Sequence, residues 1–193
     1  LIKKNIESKI FYFSKYINQN NIVKMKWKTN VLIKKFILKF FVKVLDKETA
    51  SINFFRTLDI NKVINNENPD IVHIHWIGNE IISIKDISKI TRPLIWTLHD
   101  MWAFSGIKHF KENINRFENF LDRMMLAYKE KLFKNITFIA PSEWIKKRFN
   151  LTKLKKNNFV HILPSIIDLS SWRLNKNKNK NRKKIKILFS ATS

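Results

Sequence analysis

From residue 70 onward, short apolar stretches typical of strands alternate with longer stretches of helical periodicity. The predicted strands cover residues 70–76, 94–98, 136–140, 159–163 and 186–189. Between them, the pattern predicts helices over residues 84–90 and 116–132, and a third that begins after Ser142. Such alternation favours parallel β/α units, so the sequence predicts an α/β fold with a Rossmann-like, doubly wound parallel sheet.

Two helices are predicted in the first 50 residues. One covers residues 1–18, and a stronger amphipathic pattern runs from Val31 to Leu45. A helical wheel divides the second helix into a lysine half and an apolar half. These halves are Lys34, Lys35, Lys39 and Lys43, against Phe36, Ile37, Phe40, Phe41 and Val44. Two interpretations stay open: a surface helix packed on a core, or a helix on anionic lipid, which the upstream run of alternating lysines supports.

The chain is strongly basic, with 38 Lys and Arg against 15 Asp and Glu and a net charge of +23. This charge invites a nucleic-acid or anionic-membrane interpretation. Arginine, which base and phosphate recognition would favour, is rare beside lysine, so nucleic acid is not the expected partner. The absence of cysteine excludes disulfides and thiolate metal sites and fits a reducing cytoplasm. No apolar run is long enough to span a membrane.

Two predicted strand exits carry polar side chains, and open α/β sheets bind ligands beyond the carboxyl ends of their strands. His73 and His75 are two residues apart on one strand, so they share a face, and Trp76 follows them. His99 and Asp100 come directly after residues 94–98. An imidazole there can hydrogen-bond to a substrate hydroxyl or exchange a proton with it near neutral pH. A buried, structural role for these imidazoles is the alternative.

The loop after the second strand continues with Trp102, Phe104 and Gly106. Its aromatic rings can belong to the core or stack on a sugar, and Gly106 is expected to supply a flexible turn. Ser142 can bond to a ligand, although capping a helix is its more usual role. No third ligand clusters with the paired histidines, so we predict no metal site. Glycine motifs for nucleotide phosphates are absent, and we predict no cofactor.

Three blocks of the sequence resemble successive blocks of the family 4 glycosyltransferases. They read "PDIVHIHWIGNEIISIKDISKITRPLIWTLHDMWAFSG", "FIAPSEWIKKRF" and "VHILPSIIDLSSW". The likeness runs over residues 51–193 and is strongest to the bacterial branch that makes surface and extracellular polysaccharides. It implies a GT-B architecture, in which an N-terminal Rossmann-like domain binds the acceptor and a second domain binds the nucleotide-sugar donor. It also implies transfer with retention of configuration and without a metal.

The resemblance also implies roles for individual residues. His99 matches the family's active-site histidine, which contacts the sugar being transferred. Matching positions near it are His75, Trp76, Asp100, Trp102 and Ser142. We therefore expect catalytic roles for His99 and Asp100. Substrate contacts are expected from His73, His75, Trp76, Trp102, Gly106 and Ser142.

The block "LPSIID" departs from the family, with Ser165 in place of Asn and Ile166 where Gly is common. We expect a basic helical segment (1–50), an acceptor-side domain (51–173), a basic linker (174–184) and the first strand of a donor domain (185–193). The expected function is sugar transfer from a nucleotide-sugar to a glycan or lipid-linked acceptor, in the cytoplasm or on the inner face of the plasma membrane. As the truncated N-terminal half of a GT-B enzyme, the chain is not expected to catalyse transfer alone. The alternatives are a non-catalytic basic protein that binds nucleic acid or anionic membrane, and a decayed remnant.

Overall fold

The computed structural model describes residues 6–41, 50–111 and 120–166, and within them the protein is built on a four-stranded parallel sheet. The strands are β1 (Val72–Ile74), β2 (Leu94–Thr97), β3 (Ile136–Ala140) and β4 (Phe159–Ile162). They lie side by side in chain order, β1-β2-β3-β4. The predicted α/β class, with a parallel Rossmann-like sheet flanked by helices, is confirmed. Among these four strands the order does not reverse, so they show no double winding.

Six α-helices lie in the described ranges. They are α1 (Phe13–Gln19), α2 (Asn21–Phe41), α3 (Ile60–Glu67), α4 (Ile84–Ile87), α5 (Phe120–Leu132) and α6 (Glu143–Asn150). Ser142 caps α6, its more usual role, because its hydroxyl accepts from Ile145 N, and Ser83 caps α4 by accepting from Asp86 N. α3 was not predicted from the sequence, and its N-terminus is capped by Asp59. Its short, Asn-rich sequence gives a weak helical signal.

The core lies on one face of the sheet, where alternate side chains of the strands are buried. Trp96 is at its centre, with ring centroids 5.4 Å from Phe133 and 5.8 Å from Phe138. The opposite face carries His73 and Thr97, which are less buried. Because the strands are parallel, their carboxyl ends meet at one edge, and that edge receives both predicted strand exits.

The helix predicted over residues 1–18 is wrong in its first described part, because residues 6–12 are not helical. Lys9 instead forms an ion pair of 2.5 Å with Glu67 of α3, and the rings of Phe11 and Tyr16 pack 5.1 Å apart. Periodicity alone does not form a helix here, because short helices are marginal in water without tertiary packing. Residues 1–5 lie outside the described ranges, as do the predicted linker and last strand.

The helix predicted from Val31 to Leu45 lies in α2, but the interpretation that its apolar half packs on the core is wrong for Phe36 and Phe40. Lys34 is buried, with Nζ donating to Asn79 Oδ1 at 2.8 Å, whereas Phe36 and Phe40 are 63% and 66% exposed. The helix packs through Lys34 and Leu38 because the ammonium finds buried acceptors there. Lys43 and Val44 lie outside the described residues. Within the ranges that the structure describes, no helix has the length and apolarity to cross a membrane.

Candidate functional site

Three histidines form an exposed cluster where β1 and β2 end. His73 Nε2 lies 2.8 Å from Thr97 Oγ1, and His75 Nδ1 lies 2.8 Å from His99 Nε2. The ring centroids of His73 and His75 are 4.3 Å apart, and those of His75 and His99 are 5.1 Å apart. Sequence analysis expected His73 and His75 to share a face, and the structure brings His99 to the same cluster.

The surroundings of His73 and His75 favour the neutral form of these two imidazoles. Partial burial, followed by the neighbouring imidazoles His75 and His99, lowers the pKa of His73 below 6.5. Burial and then His99 lower the pKa of His75. Neutral rings can each donate one hydrogen bond and accept another, which suits contact with the hydroxyl groups of a sugar.

Asp100 uses both carboxylate oxygens within its own loop. Oδ1 accepts from Trp102 N at 2.9 Å, and Oδ2 lies 2.6 Å from His109 Nδ1. The loop is closed further by Met101 N, which donates to His109 O at 2.8 Å. In this arrangement Asp100 orders the loop after β2 rather than orienting His99. Its expected catalytic role stays a prediction.

His109 is a residue of this site that sequence analysis missed. Its Nδ1 faces Asp100, while its Nε2 lies 2.7 Å from Ser51 Oγ, which also accepts from Asn79 N at 2.6 Å. A neutral ring protonated at Nδ1 satisfies every contact, because Nδ1–H donates to Asp100 and Nε2 accepts from Ser51. The hydroxyl of Ser51 is buried, with 2% of the residue exposed. The Asp–His–Ser chain therefore holds the loop and offers no accessible nucleophile.

Both glycines of the chain lie at this site, and at each one the missing Cβ lets neighbouring atoms pack close to the backbone. A Cβ on Gly78 would stand 2.5 Å from His109 Cε1 and 2.8 Å from Trp76 Cζ2. One on Gly106 would overlap the carboxylate and the backbone carbonyl of Asp122 in α5. Neither glycine has a positive φ. Gly106 lies in a bend, but its φ does not require glycine; the missing Cβ instead lets the loop pack against α5.

Lys129 of α5 holds the loop after β2 in place, and this role was also not predicted from the sequence. The side chain is fully buried, and Nζ donates to the carbonyls of Trp102, Ser105 and Gly106 at 2.5, 3.2 and 2.7 Å. Nζ also lies 3.6 Å from the centroid of the Trp102 ring. Burial lowers the pKa of Lys129 well below 10.5. Three acceptors match the three hydrogens of an ammonium group.

A shallow depression opens above this network, lined in part by Trp76, Gly78, His99, Asp100 and His109. Trp76 is half exposed and can present a ring face to a ligand. Trp102, in contrast, is 2% exposed, and its indole N–H donates to Ser51 O at 2.7 Å. Of the two interpretations left open for the Trp102 ring, its burial favours the core, and a substrate contact from Trp102 stays a prediction.

Ser142 lies at the exit of β3, exposed at the N-terminus of α6, and its hydroxyl caps that helix. A substrate contact from Ser142 stays a prediction. In the part of the chain that the structure describes, no group of three or more His, Asp or Glu residues is arranged to hold a metal ion. The site can therefore offer imidazoles, an indole face and a rigid loop.

The model of glycosyltransferase family 4 matches residues 34–171, more than two thirds of the chain. The chain belongs to glycosyltransferase family 4. The matched region includes the C-terminal part of α2 from residue 34, the whole described sheet and every residue of the site described above. No curated protein and no solved structure matches the chain. Membership supports a glycosyltransferase-like function with a sugar donor and an acceptor in general, and the α/β sheet is consistent with that family's N-terminal half.

Proposed function

We propose that this family 4 chain supplies the acceptor side of a retaining glycosyl transfer from a nucleotide-sugar to a glycan or lipid-linked acceptor. The observation that carries this proposal is the paired imidazoles of His75 and His99 beside the half-exposed ring of Trp76. We place the reaction in bacterial polysaccharide synthesis, in the cytoplasm, with the donor held by a second domain of a GT-B arrangement. The family match supports the reaction class, and the residues support the roles that follow.

His99 and His75 divide their ring nitrogens between each other and the ligand. Their 2.8 Å contact uses Nε2 of His99 and Nδ1 of His75. Among the described residues, none hydrogen-bonds the remaining nitrogen of either ring. Each ring therefore keeps one nitrogen for a sugar hydroxyl. A neutral imidazole suits this task, because it can act as donor or acceptor without a charge to desolvate.

Trp76 supplies the apolar part of the same contact. Its ring is 50% exposed and packs with a centroid distance of 5.8 Å to His109, which the Asp100 chain holds in place. The C–H face of a sugar can pack on such a ring while its hydroxyls reach the imidazoles. A platform held by a rigid network orders the ligand at little entropic cost to the protein.

The test is the substitution His99→Ala. A full-length version, in which this chain is joined to the proposed donor domain, is offered labelled UDP-glucose, UDP-galactose and GDP-mannose with oligosaccharide or polyprenyl-phosphate-linked acceptors, and product is separated by chromatography. We expect His99→Ala to lower turnover roughly 100-fold or more, as loss of a positioned acid–base or hydrogen-bonding group does. Trp76→Ala should weaken acceptor binding in ligand-observed NMR.

His161→Ala is the matched control, since it removes an exposed imidazole on β4. Circular dichroism establishes that each variant is folded. Undiminished turnover by a folded His99→Ala variant would overturn the proposed role. Equal losses in His99→Ala and His161→Ala would show that the assay reports a general effect of removing imidazoles.

A further inference from the structure

The side of α2 that faces away from the core carries a stripe of large apolar side chains. We call it the α2 outer face, and its residues are Ile22, Met25, Leu32, Phe36 and Phe40. Each is between 63% and 68% exposed. Their spacing of three, seven, four and four residues keeps them on one side of a helix about 30 Å long. Exposed apolar patches of this extent mark interaction surfaces.

The two aromatic residues of this face are paired in solvent. The ring centroids of Phe36 and Phe40 lie 4.5 Å apart at an interplanar angle of 50°. On the opposite side of the helix, Asn30, Lys34 and Leu38 are buried against the rest of the protein. α2 is therefore anchored by one side and presents the other, so its exposed aromatics are not a poorly packed core.

The charges of α2 indicate which kind of partner fits its outer face. α2 contains six lysines and no acidic residue, and only Lys34 is buried. Lys28, Lys35 and Lys39 are exposed, and on the helical wheel they border the outer face. An apolar stripe bordered by lysines is complementary to a bilayer with anionic headgroups, where rings enter the acyl boundary and ammonium groups meet phosphates.

We propose that the α2 outer face docks the protein on an anionic phospholipid bilayer, with the helix lying in the plane of the interface. This goes beyond the proposed glycosyl transfer and does not depend on it. α2 is not apolar enough to cross the membrane, which fits an interfacial position.

Docking through α2 also sets the orientation of the site. Trp27 Nε1 donates to Asn79 O at 2.9 Å, and Lys34 Nζ donates to Asn79 Oδ1. Asn79 N in turn donates to Ser51 Oγ, the partner of His109. The loops that build the depression are thus hydrogen-bonded to the buried side of α2. A bilayer on the outer side would hold the site at a fixed height and angle above the lipid.

Vesicle sedimentation tests the proposal on the full chain, with vesicles of phosphatidylcholine alone and of phosphatidylcholine with phosphatidylglycerol. We expect binding only to the mixed vesicles. Phe36→Ser combined with Phe40→Ser should lower the partition coefficient roughly tenfold or more, because two inserted rings are lost. Lys35→Gln combined with Lys39→Gln should lower it by roughly fivefold per lysine. All four side chains are exposed, so these variants should fold.

Matched controls lie at the other end of the described chain. Phe159→Ser removes a ring that is 72% exposed on β4, and Lys155→Gln with Lys156→Gln removes two exposed lysines. These controls should leave binding unchanged. Equal losses in the controls, or equal binding to both vesicle types, would overturn a specific role for α2.

A labelling experiment tests which side of α2 enters the lipid. The chain has no cysteine, so Leu32→Cys can be labelled alone with a polarity-sensitive fluorophore, with Phe159→Cys as the control. We expect a blue shift on mixed vesicles at the first position only. Two results would replace the bilayer with another occupant: self-association abolished by the Phe36 and Phe40 substitutions, or displacement from vesicles by duplex DNA with no effect of those substitutions.

Discussion

Lys129 provides the sharpest test of how the loop after β2 is held. The residue is fully buried, and its Nζ is hydrogen-bonded to the carbonyls of Trp102, Ser105 and Gly106. The substitution Lys129→Met keeps an unbranched side chain of similar volume but removes the donors. Since all three carbonyls belong to buried residues, none can turn to water without opening the loop.

The expected loss of stability follows from two opposing terms. Each buried carbonyl left without a donor costs about 1–3 kcal/mol, so those of Ser105 and Gly106 cost up to ~6 kcal/mol, whereas Trp102 O still accepts from Ser105 N at 3.4 Å. Removing the ammonium relieves a desolvation penalty of several kcal/mol. Because the two unpaired carbonyls cost more than the relieved desolvation returns, we expect the free energy of unfolding to fall by about 2–3 kcal/mol. Such a loss is a large fraction of the ~5–15 kcal/mol that stabilises a typical domain.

Urea unfolding followed by circular dichroism and tryptophan fluorescence measures this difference. Lys131→Met is the matched control, because Lys131 lies on the same helix but is exposed. The control should change the free energy of unfolding by no more than ~0.5 kcal/mol. If Lys129→Met loses less than about 1 kcal/mol, the carbonyls do not depend on Nζ, and the argument for a lysine-held loop fails.

The same lysine predicts a pH dependence. Burial lowers the pKa of Lys129 in the folded state, while in the unfolded chain it returns to about 10.5. Between those two values the unfolded state binds more protons, so this group's contribution makes stability rise with pH across that window. Stability curves of wild type and Lys129→Met should therefore diverge as pH rises toward 10.5. Parallel curves would contradict the lowered pKa.

Three further predictions concern the same site. Gly106→Ala should lower the free energy of unfolding by about 3 kcal/mol in urea titrations, because the new Cβ overlaps the backbone of Asp122, which cannot swing away; a neutral result would show that the loop can shift. His109→Asn keeps a donor near Asp100 but loses its other contact, so loop amides should exchange faster by mass spectrometry; unchanged exchange would refute the network's role. The pKa of His75 is lowered in the folded state, so its contribution to stability is lost as pH falls below about 6.5, and His75→Asn should flatten the decline in melting temperature over that range.

The strands were predictable because their signals are local. β3 matches its predicted bounds of residues 136–140, and β2 differs by one residue, since β-branched runs between turn residues need no distant information. The orientation of α2 was not predictable in this way. Lys34 reads as a surface residue, and its burial depends on acceptors 16 and 45 positions away, at Ala50 and Asn79. A helical wheel weighs hydrophobicity alone and cannot detect such partners.

The residues of the candidate site could likewise be predicted only where their signals are local. His75 and His99 could be proposed because each follows a strand that sequence reveals, and the parallel sheet brings their exits together. His109 and Lys129 carry no local signal, because their partners Ser51 and Trp102 are 58 and 27 positions away in sequence. In the sequence alone, an imidazole in a polar loop and a lysine in a helix give no sign of a special role. That role becomes visible only from the contacts made in the fold.

In the loop after β1, residues with side chains occupy left-handed backbone positions where many proteins use glycine. With two glycines in the chain, the turn after Gly78 is made by Asn79 and Glu80 at φ 56° and 63°, a left-handed conformation that costs an ordinary residue about 1–2 kcal/mol. Glu80 offsets this cost, because its carboxylate accepts from Ile52 N and Asn53 N at 2.8 and 2.7 Å. Burial raises the pKa of Glu80, and the two N–H donors favour the charged form against that effect. A loop fixed by buried side-chain bonds has little freedom left to lose, so a ligand at His99 would meet a geometry that is already set.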